Sequence, residues 1–208
     1  MTNLQKRILT SIVILPLSIF FIVKGGNFLT FFLIFILFAG IHELFSIFKK
    51  VVSISFLSLI LILSLFSIYY LRENAELLLF LGITIAISTD IGGYAFGKIF
   101  KWKKLTKISP KKTISGVFGS YFLSIICLFI FFETFVINSH VTFTYFLITI
   151  IFSTIAQIGD LTISYFKRLE KIKDTGKILP GHGGIFDRID GLMFVVILAF
   201  IVNLYFEI

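Results

Sequence analysis

The sequence predicts an all-α, polytopic integral membrane protein: a helical bundle of about seven transmembrane helices with its N-terminus in the cytoplasm. Three observations predict it. Of the 208 residues, 58% are hydrophobic and only 14% charged, with mean hydropathy +1.05. An ordinary globular domain carries roughly 25% charged residues, so water-soluble packing would leave too much apolar surface without a partner. The apolar residues also fall into runs of about 20, the length that crosses the hydrocarbon of a bilayer. Finally, threading the chain as seven spans gathers 17 of the 19 basic residues on one side, the asymmetry expected of cytoplasmic loops.

The spans are read in order as 8–24, 27–48, 51–71, 75–97, 114–137, 141–166 and 191–206. The first follows Lys6 and Arg7 as in a signal peptide, but it ends Phe-Phe-Ile-Val-Lys with no small-residue cleavage site, so a retained span is expected. The second holds a polar spot at His42 and Glu43. The fourth carries Asp90 among Gly92, Gly93 and Gly97, spaced for close helix packing. The fifth holds the single cysteine, Cys127, which excludes a disulfide and reads as a small buried hydrophobe, and also Glu133 near its outer end. The 28 Phe residues follow no period and read as lipid-facing filler. Residues 1–208 are expected to form a single membrane-embedded unit. Within it, 1–74 supply N-terminal spans, and 75–208 carry the chemistry with cytoplasmic loops 98–113 and 167–190. Loops this basic invite a nucleic-acid reading, but they offer only Trp102 for base stacking, so no nucleic-acid partner is expected.

Ionisable groups inside a bilayer are functional hypotheses by default. Asp90 and Asp160 sit at matching depth, about 10 Å inside the cytoplasmic boundary at 1.5 Å per residue, and neither has a basic residue within one turn. On the sixth span Gln157, Asp160, Ser164, Lys167 and Arg168 recur at three- and four-residue intervals, which lays them on one helical face. Asp187 and Asp190, three apart at the start of the seventh span, project together, and their charge suits a helix N-terminus. Asp160 facing Asp187 and Asp190 would make an oxygen-ligand cluster of the kind Mg²⁺ accepts. Capping by an Asp is the plainer alternative for Asp187, but it does not explain Asp160.

Between these spans, five basic groups from Lys167 to Lys177 precede a glycine-rich turn, Gly181-His182-Gly183-Gly184, whose backbone amides can converge on a phosphate. Such a turn is weak evidence alone, since glycine pairs also mark ordinary turns. His182 is open among a proton-transfer role, a phosphate hydrogen-bond donor and a turn residue, with the last two favoured. In the preceding loop Lys111, Lys112 and Thr113 offer three further phosphate ligands.

The run from Ser164 to Asp190 reads S-x-x-K-R-x-x-x-x-K-D-x-G-x-x-x-P-G-H-G-G-x-x-D-R-x-D. It resembles the phosphatidate cytidylyltransferase (CDP-diacylglycerol synthase) family. Gly159-Asp160-Leu161 also matches, as does a second block of Asp90, Tyr94, Gly97, Lys98, Ser109-Pro110, Lys112-Thr113 and Gly116. Where the family usually carries Trp-Glu after that threonine, this chain has Ile114-Ser115.

The resemblance implies a nucleotidyltransferase that makes CDP-diacylglycerol and pyrophosphate from CTP and phosphatidate, for phospholipid biosynthesis. It places metal ligation on Asp160 and Asp187 with Asp190 in support. Lys167, Arg168 and Arg188 would hold phosphates of CTP or lipid, and the Gly181–Gly184 turn the triphosphate. Asp174 would orient these cations or ligate a second ion, and Lys111, Lys112 and Thr113 would complete the site. The implied cofactor is Mg²⁺, with a second metal ion or a monovalent cation left open. The implied partners are CTP, phosphatidate and the lipid bilayer, with a homodimer left open. The location expected is the bacterial inner membrane, with the site on its cytoplasmic side. The rival readings are a related CTP-dependent enzyme for another lipid phosphate or a polyprenol, and a cation transporter.

Overall fold

The structure, a computed structural model, describes residues 3–106, 108–136, 141–172, 175, 176 and 183–206, with backbone alone for 3–11 and 15. Seven helices follow one another: α1 (Asn3–Lys24), α2 (Gly26–Ile47), α3 (Val51–Asn74), α4 (Glu76–Phe100), α5 (Ile114–Phe135), α6 (Phe143–Leu169) and α7 (Phe186–Phe206). From α2 to α7 each is long and apolar enough to cross a membrane. The described residues contain no strand, only an isolated antiparallel bridge between Lys104 and Thr113.

The helices α4 and α6 run beyond the apolar stretches read from the sequence, and α7 begins earlier, at Phe186. Hydropathy marks where lipid contact ends, whereas backbone hydrogen bonding continues into the polar residues on either side. Connections of one to three residues join α1 through α4, which makes neighbours antiparallel. The even-numbered helices therefore all end on one side. That end gathers, among the described residues, the α2–α3 turn, the loop residues 101–106 and 108–113, and residues 170–172 and 183–185.

Without a hydrophobic drive between helices in lipid, close packing and interhelical hydrogen bonds must hold the bundle. The glycines of α4 do this as their spacing suggests. A Cβ at Gly92 would collide with the carbonyl of Gly119 on α5, so the two backbones touch. Hydroxyls add the second element. Thr89 bonds Ser124 at 3.0 Å and Ser153 at 2.9 Å, Ser88 reaches Ser124 at 3.2 Å, and Ser120 donates to the Thr89 carbonyl at 2.8 Å. Each such bond is worth about 0.6 kcal/mol in a membrane protein.

Two apolar clusters result. One joins α4, α5, α6 and α7 around Leu79, Ile85, Leu128, Phe152 and Val196. The other packs α2 and α3, through Leu44, Leu57 and Leu61, onto Ile163 of α6 and Phe186 and Met193 of α7. The N-terminal spans thus brace the helix ends that carry the sequence motif. Cys127 is half-buried rather than fully enclosed. Arg72, an exception to the one-sided charge pattern, closes α1: its guanidinium donates to the carbonyls of Ile22 at 2.7 Å and Val23 at 2.8 Å and pairs with Glu76 at 3.0 Å. The last-turn carbonyls of a helix have no partners of their own.

Glu170, just past α6, serves the opposite terminus of α3. It accepts from the amides of Lys49 at 3.3 Å and Lys50 at 3.0 Å and from the Ser53 hydroxyl at 3.0 Å. Desolvation opposes its ionisation, but the Lys50 and Lys49 amides, the Ser53 hydroxyl and the Lys50 charge outweigh that and hold its carboxyl below the ordinary value of 4.5. A carboxylate whose folded value is depressed stabilises fully above its unfolded value and loses that contribution as pH falls through the folded one. Glu170→Gln should therefore melt below the parent at neutral pH, and the difference should close under acid conditions below 4.5. Unfolding temperatures of both proteins across that range check it.

Candidate active site

At the shared end of α4 and α6 a cavity of about 320 Å³ opens between α4, α5, α6, α7 and the loop 101–113. Its floor is Thr89 and Ser120, part of the hydroxyl network below. Its walls carry Asp90 from α4, Gln157 and Asp160 from α6, and Asp187 and Asp190 from α7, while Lys111, Lys112 and Thr113 come down from the loop.

The loop is held rather than loose. Leu105 N donates to the Lys112 carbonyl at 2.8 Å and Ile114 N to the Lys103 carbonyl at 3.0 Å, closing a hairpin-like turn. Thr113 then caps α5, its hydroxyl accepting from Gly116 N at 3.1 Å, as threonine commonly does at this position. Ser115, which stands where the family usually has Glu, is buried, with its hydroxyl 3.0 Å from that of Thr113. It does not line the cavity.

Of the expected site residues, Lys112 and Asp160 meet directly, with Nζ 2.6 Å from Oδ2. Lys112 also donates to the Gln157 carbonyl at 3.3 Å. Asp160 lacks a basic residue within a turn in sequence but gains one through the fold. Ser164, one turn on, is buried and donates to Asp160 Oδ1 at 3.4 Å. Asp190 accepts from Gly191 N at 2.9 Å and feels the charges of both Asp160 and Asp90. Arg168 lies at the exposed rim, donating to the carbonyls of Ile108 at 3.3 Å and Ile172 at 2.8 Å, and so ties the two loops together. Arg188 is exposed and its charge acts on Asp90.

Asp187 is engaged differently from its neighbours. Its Oδ1 accepts from Lys167 Nζ at 2.8 Å, and its Oδ2 accepts from Thr175 N at 2.8 Å and Gly184 N at 3.2 Å. These three bonds leave one lone pair of Oδ1 for an ion. Gly183, next to this turn, has φ 90°, a backbone region suited to glycine. Asp174, Gly181 and His182 lie outside the described residues. Among the described residues no group of three or more His, Cys, Asp or Glu side chains is drawn together tightly enough to cage an ion. Even so, Asp90, Asp160, Asp187 and Asp190 share one cavity with Lys111 and Lys112, and Lys112 is paired to Asp160.

One residue of consequence, Glu43, is visible in the sequence as a polar spot of the second span but receives no role there. Its signal was its position, an acid within an apolar span.

Seven helices, six of them long and apolar enough to cross a membrane, enclose an acidic cavity roofed by a lysine-bearing loop. A model of the cytidylyltransferase family matches residues 48–206. The phosphatidate cytidylyltransferase of Rickettsia conorii is 32% identical over 216 residues, covering 98% of this chain and 93% of that protein. Proteins of the same name from Staphylococcus haemolyticus and Staphylococcus epidermidis are 47% and 41% identical. Those alignments cover 52% and 62% of this chain but only 42% and 49% of the staphylococcal proteins, so the chain spans under half of their length. The chain belongs to the phosphatidate cytidylyltransferase family.

Proposed function

We propose that this protein joins CTP to phosphatidate, releasing pyrophosphate and leaving CDP-diacylglycerol in the membrane. The observation that carries the reading is the cavity in which carboxylates of α4, α6 and α7 meet Lys111 and Lys112, in a chain of this family. A phosphatidate phosphate oxygen attacks the α-phosphorus of CTP in line, and the bond to the β-phosphate bridging oxygen breaks. Such a transfer needs positioning and charge neutralisation more than covalent help.

Lys111 and Lys112 supply positive charge inside the cavity, and Arg168 and Arg188 supply it at the rim, where a triphosphate arrives from water. Lys167 acts through Asp187, holding the α7 entry in place. Gly181, His182 and Gly183 complete the phosphate contacts in this reading, and Asp174 orients the cations or ligates a second ion.

The residues present fit a divalent cation, because Asp90, Asp160, Asp187 and Asp190 outnumber Lys111 and Lys112 in the cavity lining. Asp160 and Asp190 are the carboxylates assigned to Mg²⁺, with Asp187 able to join through the remaining lone pair of Oδ1. Bound Mg²⁺ would neutralise charge on the phosphate oxygens. The one-sided basic loops and bacterial relatives support a bacterial inner membrane location with the cavity facing the cytoplasm, where CTP is found. The whole chain acts as one membrane-embedded unit.

Purified protein given labelled CTP, phosphatidate and Mg²⁺ should form CDP-diacylglycerol and pyrophosphate in equal amounts. If neither product forms, the assignment is wrong. A polyprenol or another lipid phosphate preferred over phosphatidate would move it to a different substrate.

A further inference from the structure

The family model begins at residue 48, yet a residue upstream of it reaches the motif. Glu43 lies near the end of α2, inside an apolar span, and is 0% exposed. Its Oε2 accepts from Ile185 N at 2.7 Å and its Oε1 from Phe186 N at 3.3 Å. These are amides at the start of α7, which no carbonyl of that helix can satisfy. The buried Thr175 hydroxyl lies against the same carboxylate and has no other partner among the described residues. Both glycines around this turn close on it: a Cβ at Gly176 would come within 3.1 Å of the Glu43 carboxyl, and one at Gly184 would collide with it.

We propose that Glu43 is a positioning residue, a cap supplied by α2 that fixes both ends of the motif segment, at Thr175–Gly176 and at Gly184–Phe186. The consequence runs through Asp187. That side chain takes amides from the same two places, Thr175 and Gly184, and holds Lys167. Glu43 takes the amides of Ile185 and Phe186 and Asp187 those of Thr175 and Gly184. With Glu43 removed, the Thr175 and Gly184 amides are no longer held in the spacing Asp187 requires. Asp190, one turn on, shifts with the α7 entry. The role in turnover rests on the cytidylyltransferase reading, whereas the anchoring does not.

Shape and hydrogen bonding can be separated because Gln has the shape of Glu. Glu43→Gln keeps the volume but turns one acceptor into a donor aimed at a backbone N–H. Glu43→Asp keeps both acceptors on a shorter arm. In the full-length protein, kcat for CDP-diacylglycerol formation should fall about tenfold or more in Glu43→Gln, and Glu43→Asp should retain more activity than Glu43→Gln. Position of the turn is read separately by maleimide labelling of Ile185→Cys, a buried site whose backbone amide is kept, in a Cys127→Ser background. Adding Glu43→Gln should speed labelling about tenfold or more. Gly184→Ala, which pushes on an intact Glu43, should speed it too.

Unchanged labelling in both would overturn the proposal, as would a Glu43→Gln protein with parental kcat or one more active than Glu43→Asp. Accelerated labelling together with a parent that makes no CDP-lipid would uphold the anchor and remove the cytidylyltransferase reading instead.

Discussion

Asp160→Asn should lower kcat for CDP-diacylglycerol formation by about 10²–10³-fold, the scale seen when one preorganised electrostatic contact to a transition state is removed. The substitution keeps the volume and costs the cavity a charge. Asp160 is the carboxylate best placed to serve both substrates, since it lies within α6 yet lines the cavity under the loop. Its present partner is Lys112, and both side chains are about a quarter exposed, at 25% and 24%. A pair only partly withdrawn from solvent should cost less stability when broken than an enclosed one, so the variant should still fold. The competing explanation is that Asp160 does no more than neutralise Lys112. Mg²⁺ dependence separates the two: a counter-ion role predicts a lowered rate with the parental Mg²⁺ dependence, whereas ion ligation predicts that the dependence itself shifts. The Mg²⁺ concentration giving half-maximal rate should rise in the Asp160→Asn protein, and a rate and Mg²⁺ dependence equal to the parent's would remove Asp160 from the site.

Much of the architecture behind this expectation is legible in the sequence, because apolar length and charge asymmetry act over whole spans. The matching depth of Asp90 and Asp160 follows from helical rise alone, and the α4 glycines from their spacing. What could not be read are partners that arrive through the fold. Lys112 reads as one of three phosphate ligands in a basic loop, and the structure folds it back onto α6. Lys167 reads as a phosphate cation on the α6 stripe. Periodicity assigns a face to a residue but not what packs against that face, and here it is Asp187. Thr113 reads as a ligand and is also a helix cap, two uses of the same hydroxyl. Glu43 and Glu170 illustrate the general difficulty. Each satisfies the N-terminus of a helix distant in sequence, a need created only when the bundle assembles.

The Lys167–Asp187 pair should behave in the opposite way to Asp160–Lys112. Its side chains are only 11% and 8% exposed, and truncating one partner of such a pair leaves a charge with no solvent and no mate. Lys167→Met alone or Asp187→Leu alone should therefore cost about 3–5 kcal/mol of stability, seen as loss of monodisperse protein or a large fall in unfolding temperature. Asp187→Leu should be the worse, since the Thr175 and Gly184 amides lose their acceptor together with Lys167. Replacing both charges at once, Lys167→Met with Asp187→Leu, removes the desolvated ions together, and such replacements are often neutral or stabilising. Here the two amides still lose their acceptor, so recovery should be partial. Activity should not follow stability. With Asp187 gone, the turn that delivers Asp190 to the cavity is left with its Glu43 contacts, and the double variant should stay well below parental turnover while melting above either single one. If turnover returned along with stability, Lys167 and Asp187 would be a structural clamp with no part in placing the site. If the single variants melted like the parent, the pair would not be buried as the structure has it.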